Sequence, residues 1–185
     1  MNFPRFRRPA NVETFRFPLP SPGRLALIDT HLRGAVTAAN FASTELAAIE
    51  AFAPESIALP LSTALSYATQ RLAGANLLPS LRCAIVVLSS LPTPGGPMTD
   101  GDRDLLWRAF GLPVFEQLLG VNGRVVAREC EVHDGLHAEQ GGALLAGEAM
   151  GHAAEIVTGV CYCGLETPRL RNMVRLRERA AAAAA

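Results

Sequence analysis

Three of the four cysteines fall late in the chain. Cys130 lies in Glu-Cys-Glu-Val-His-Asp-Gly-Leu-His over 129–137, and Cys161 and Cys163 lie in Cys-Tyr-Cys-Gly over 161–164. In an extended segment, residues i and i+2 point to one face about 7 Å apart, so Cys161 and Cys163 can offer two thiolates to one ion. Gly164 then permits a tight turn beneath them. Asp134-Gly135 is a hairpin signal that would bring His137 back toward Cys130. Cys130, His137, Cys161 and Cys163 together make a Cys₃His set, which is a closed tetrahedral zinc site with no position left for water, so its role would be structural. His133 competes with His137 for the fourth place, but it precedes the Asp-Gly turn, which favours His137. The plainer reading is buried free thiols with solvent-facing histidines. Against it, both halves sit in a glycine-rich β region and the ligand count closes. Cys83, inside an apolar run, reads as a small core residue.

Other reactive side chains have ordinary explanations. Glu116 falls where a parallel sheet ends, a place for a general base, yet such a glutamate is more often a solvated turn residue. Asp100, Asp102 and Asp104 form an acidic cluster in the first turn of an expected helix, where acids complement the macrodipole. Pro-Thr-Pro-Gly-Gly-Pro over 92–97 lacks the pattern of a phosphate loop and reads as a surface loop. Ser62-Thr63 reads as a helix cap, His31 as a lone histidine, and Trp107 with Phe110 as a core pair on one helix face.

The elements that must position these residues change character along the chain. Short apolar runs over 24–29, 56–61, 81–90 and 113–120 read as strands, the third as one covered on both faces. Helical spacing and boundary residues mark helices over 43–54, 62–75 and 98–111. Strand and helix in alternation predict an α/β fold with a mostly parallel sheet and flanking helices. After residue 120 come short β-like pieces split by glycines, which predict a small antiparallel β region carrying the zinc. The expected division is an extended N-terminal arm over 1–23, an α/β layer over 24–120, a β-rich zinc-binding region over 121–172 and a tail over 173–185.

Composition excludes several functions. With 17 basic and 17 acidic residues the chain is formally neutral, which gives no general attraction to nucleic acid or an anionic membrane. No apolar run approaches the roughly 20 residues that span a bilayer. Prolines interrupt the basic start, so it makes a poor signal peptide, and the cytoplasm is the expected location. Every basic residue is arginine. That removes any P-loop lysine, Schiff-base lysine or lysine orienting a phosphate.

The tract Ala-Arg-Glu-Cys…Asp-Gly-Leu-His followed by Cys-x-Cys-Gly resembles the phenylacetate–CoA ligase branch of the adenylate-forming enzymes. The likeness extends over roughly 45–170, through 52–72, 79–94 and 103–120. It implies part of an adenylation core and a structural zinc on Cys130, His137, Cys161 and Cys163. It also shows what differs. The family's Tyr-Gly-x-Ser/Thr-Glu motif falls on Glu-Gln-Leu-Leu-Gly over 116–120, without its aromatic, hydroxyl or magnesium-binding carboxylate. The Gly-Gly-Glu-like turn is Ser-Ser-Leu-Pro-Thr-Pro-Gly-Gly. No Ser/Thr/Gly-rich phosphate loop with a lysine appears upstream, and the C-terminal domain with its lysine is absent. The expectation is therefore a non-catalytic binding or partner protein, a homodimer or partner subunit, with a small acyl or aromatic ligand. The alternative is acid adenylation or CoA-ligase activity completed by a second chain.

Overall fold

The computed structural model describes residues 15–35, 37–90, 96–120, 123–139 and 152–175. The expected C-terminal tail beyond 175, the first 14 residues of the arm and most of the 92–97 loop lie outside these residues. Nine strands form one sheet: β1 (Leu25–Ile28), β2 (Ala38–Phe41), β3 (Ser56–Pro60), β4 (Ala84–Ser90), β5 (Val114–Leu119), β6 (Val125–Glu129), β7 (Leu136–Ala138), β8 (His152–Val157) and β9 (Arg169–Arg175). Their spatial order is β2-β1-β3-β4-β5-β6-β7-β9-β8. From β2 to β5 every pairing is parallel, and from β5 onward every pairing is antiparallel. The antiparallel strands continue the same sheet, because Gln117 and Leu118 of β5 pair with Arg128 and Ala127 of β6.

Side-chain alternation explains the layers. Ala26, Ile28, Ile57, Leu59, Ile85, Val87 and Val114 face one way and pack under three helices. These are α1 (Leu46–Phe52), α2 (Leu61–Leu72) and α3 (Asp100–Phe110). Leu25, Leu27, Ala58, Ala84, Val86, Leu88 and Phe115 face the other way and pack with Phe15 and Leu32. β4 is buried along nearly its whole length, as a strand covered on both faces must be. Phe15 is buried, and its backbone N–H donates to the Arg33 carbonyl at 2.7 Å. No helix among the described residues is long and apolar enough to cross a membrane.

Several expectations need correction. α1 begins three residues later than its Ser-Thr start, because Glu45 turns back to accept the Ala42 N–H at 2.7 Å. α2 begins at Leu61 after Pro60, and no side chain caps it; Ser62 and Thr63 lie inside its first turn. Proline's fixed φ ends β3, and the chain passes from it directly into the helix. Trp107 is 55% exposed, so it is not a core partner of Phe110; Leu106 fills the buried side of α3 instead. Cys83 is half-buried and precedes β4 rather than lying within it. β2 has no counterpart among the expected strands. It is a partly exposed edge strand of four residues, too short and mixed to show a period.

α3 carries a reciprocal cap. Thr99 Oγ1 accepts the Asp102 N–H at 3.2 Å, and Asp102 Oδ2 accepts the Thr99 N–H at 3.0 Å. Asp100 and Asp102 belong to that first turn and Asp104 lies beyond it, so the acidic cluster serves the helix. Thr99→Ala is expected to lower stability by about 1 kcal/mol. Denaturant titration should show a lower midpoint at unchanged slope, and a further loss when Asp102→Ala is added to Thr99→Ala, because the Asp102 carboxylate still accepts the residue-99 backbone N–H in the single variant.

Candidate metal centre

The β6–β7 hairpin supplies two of the four clustered side chains. β6 ends at Glu129, so Cys130 is the first residue of the turn, and the His133 N–H donates back to the Cys130 carbonyl at 3.1 Å. The turn closes through Gly135 at φ +86°; a Cβ there would stand 2.7 Å from the Leu170 carbonyl oxygen of β9. Only glycine lets the hairpin lie so close to that strand. His137 follows in β7, paired with Arg128 on one side and Arg169 on the other. Its ring is buried.

Cys161 and Cys163 supply the other half, from a turn rather than the extended segment expected. The Gly164 N–H donates to the Cys161 carbonyl at 2.8 Å, and the Cys161 N–H donates to Leu165 at 2.9 Å. Gly164 takes φ +86°. Closing the backbone this way aims both sulfurs inward and leaves Tyr162 between them 95% exposed.

The structure brings Cys130, His137, Cys161 and Cys163 together, with one potential ligand atom from each all within 4.8 Å of one another. Cys130 Sγ lies 3.9 Å from Cys161 Sγ, and Cys163 Sγ lies 3.4 Å from His137 Nε2. Metal bonds of about 2.3 Å to sulfur and about 2.0–2.1 Å to nitrogen give tetrahedral edges of roughly 3.5–3.8 Å. The two close pairs already match, so this cluster can hold a metal ion. His133 stands outside it. Its ring stacks on Phe115 at 4.7 Å between centroids, and its Nδ1 lies 3.1 Å from Glu129 Oε1.

The surroundings prepare the ligands. His137 Nδ1 is 2.9 Å from Thr167 Oγ1, an arrangement in which Nδ1–H donates to the hydroxyl and leaves the Nε2 lone pair for the ion. Burial alone would raise the Cys161 thiol, but hydrogen bonds led by the Cys163 backbone N–H and Arg169 outweigh it and bring it down to about 6. The Cys130 thiol is pushed up to about 12, chiefly by burial. Arg169 is itself buried and paired with Asp134 at 3.1 Å, and Arg171 pairs with the same carboxylate. Three thiolates and a dication leave one negative charge, which Arg169 offsets. Thr167 and Arg169 escaped the sequence reading, and Asp134 was read only as part of the hairpin turn, because second contacts to a site follow no fixed spacing.

Two other candidates are relocated. Glu116 is neither solvated nor in a turn: it is 5% exposed within β5, with Oε1 accepting the Met98 N–H at 2.7 Å. His31 is exposed, beside Gly123 and away from the cluster.

If these four residues form the site, purified protein should carry about one divalent metal ion per chain by elemental analysis. Cys130→Ser and His137→Ala should lose it, and His133→Ala should keep it. Metal retained in His137→Ala would remove the imidazole from the ligand set.

No protein-family model matches the chain. No curated protein matches it in sequence. Its fold is similar to that of 2-hydroxyisobutyryl-CoA ligase, solved in an open conformation with 2-HIB-AMP and CoA, at a TM-score of 0.59 and 14% sequence identity. The match covers 87% of this chain and 50% of the ligase chain, so the protein spans about half the ligase's length.

Proposed function

We propose that this protein is a zinc-stabilised, non-catalytic relative of the phenylacetate–CoA ligase type of adenylate-forming enzyme, acting as a binding or partner protein. The observation that carries this reading is a Cys₃His cluster able to hold a metal ion, in a sheet where the end of β5 offers no carboxylate. Cys₃His is a donor set that favours zinc, and its closed geometry points to a structural role. Adenylation needs a carboxylate for magnesium, donors for phosphate and a cation for the developing charge. Where such a carboxylate is expected, the end of β5 reads Leu118-Leu119-Gly120, with Leu118 wholly buried. Lysine is absent from the chain. Glu116 is an acid nearby, but its carboxyl lies in the protein interior and already takes a backbone N–H.

A cytoplasmic protein that binds a small acyl or aromatic ligand, as a homodimer or a partner subunit, is consistent with this reading. A second reading is an acid-adenylating or CoA-ligase activity completed by another polypeptide.

Zinc-loaded protein given ATP, Mg²⁺ and a panel of acyl and aryl acids should show no acid-dependent pyrophosphate exchange. Exchange that disappears in Glu116→Gln would replace the non-catalytic reading with an enzymatic one. Sedimentation at micromolar concentration should show a species heavier than one chain, alone or with its partner. A monodisperse monomer that pulls no second subunit into its peak would remove the partner role.

A further inference from the structure

Outside the metal cluster, the least ordinary chemistry lies where β4, β5, β6 and the start of α3 meet. Two carboxyl groups are buried there, Glu116 from β5 and Glu129 from β6. One guanidinium serves them. Arg103 of α3 directs Nη2 at both oxygens of Glu129, at 2.9 and 3.1 Å. Its Nη1 donates to the Val114 carbonyl. Glu129 also accepts the Glu116 backbone N–H at 2.9 Å and faces His133 Nδ1 at 3.1 Å. Glu129 therefore has the partners of an ionised carboxylate, and the cation is spent on it. Glu116 accepts the Met98 N–H, at 2.7 Å. Beside it stands Ser89 of β4, 1% exposed, whose hydroxyl has no hydrogen-bond partner of good geometry among the described residues.

Two buried negative charges sharing one cation are strongly unfavourable, so the less supported group keeps its proton. We propose that Glu116 is held as a neutral carboxylic acid beside Ser89, and that this proton latches the junction of β4, β5, β6 and α3. The assignment leaves Arg103 to Glu129. The groups facing Glu116 are Ser89 from β4, Met98 N–H before α3, Arg103 from α3 and Glu129 from β6, with His133 behind Glu129. Loss of the proton sets a second anion beside Glu129 while Arg103 stays committed to Glu129, and the junction relaxes by admitting water.

The sign of the pH effect follows. Burial, the largest influence, raises Glu116 from 4.5 to about 7. The folded chain then holds a proton that the unfolded chain has released. Stability from this group is greatest below about pH 4.5, falls as pH rises toward 7 and is level above it. This inference does not depend on the proposed function.

The test compares metal-loaded wild type with metal-loaded Glu116→Gln, whose amide imitates the neutral acid. Between pH 5 and pH 8 the wild-type folding constant should fall by on the order of a hundredfold relative to the variant. Parallel profiles would overturn the latch. Infrared spectra of the wild type alone guard against a variant that does not fold. They should show a neutral carboxyl C=O band that titrates near pH 7, and a midpoint in the ordinary carboxylate range would overturn the proposal. In Ser89→Ala the midpoint should move to higher pH, because the ionised carboxylate loses a hydroxyl donor; an unchanged or lower midpoint would refute the role given to Ser89.

Discussion

Strand β5 is hydrogen-bonded to a parallel neighbour on one edge and an antiparallel neighbour on the other, and the remaining geometry depends on that double pairing. Its pairing with β4 runs from Ile85↔Val114 to Ser90↔Leu119 and holds it in the α/β layer. Its pairing with β6 runs from Gln117↔Arg128 and sets where β6 ends. Because β6 stops at Glu129, that carboxylate lies against the Glu116 backbone and Cys130 becomes the first residue of the next turn. A register slip of one residue would turn Leu118 and Ala127 out of their shared cluster. It would also carry Cys130 away from its partners.

The two halves of the sheet rest on different forces. The parallel half has a large apolar cluster on each face, enough to hold β1, β3 and β4 almost dry. The antiparallel half has a cluster of only four buried residues, Leu118, Ala127, Leu136 and Leu170. Small cores of that kind commonly need a further crosslink, and a bound metal supplies one by joining residues distant in sequence. In this fold it would tie the β6–β7 hairpin to the Cys161–Gly164 turn. The ion pairs of Asp134 with Arg169 and Arg171 join the same hairpin to β9, so electrostatic and metal links would reinforce one another.

Much of the α/β layer was legible because local rules and burial agree there. The apolar run at 84–90 is buried as its composition requires, and α3 begins and ends on residues with strong boundary preferences. Boundaries failed where two rules competed. At Pro60 the strand hands over directly to a helix, so the Ser-Thr pair downstream had no capping to do. Trp107 sits at a helical position that a pattern marks as core, yet that side of α3 has no layer above it. Edge strand β2 gave no sign because half-exposed residues need no regular period.

The sequence by itself determined that four side chains able to ligate a metal exist, that glycines stand where the chain must turn beside them, and that strands and helices alternate before them. Those features are local, set by residue type and short spacing. Tertiary structure decided which histidine joins the cysteines, because His133 and His137 differ only in the direction that the hairpin gives them: one toward Phe115 and Glu129, the other toward Cys163 and Thr167. It also decided that Glu116 is buried beside Glu129. No spacing rule relates residues on adjacent strands until their register is known, since their contact is made by the sheet and not by the chain between them.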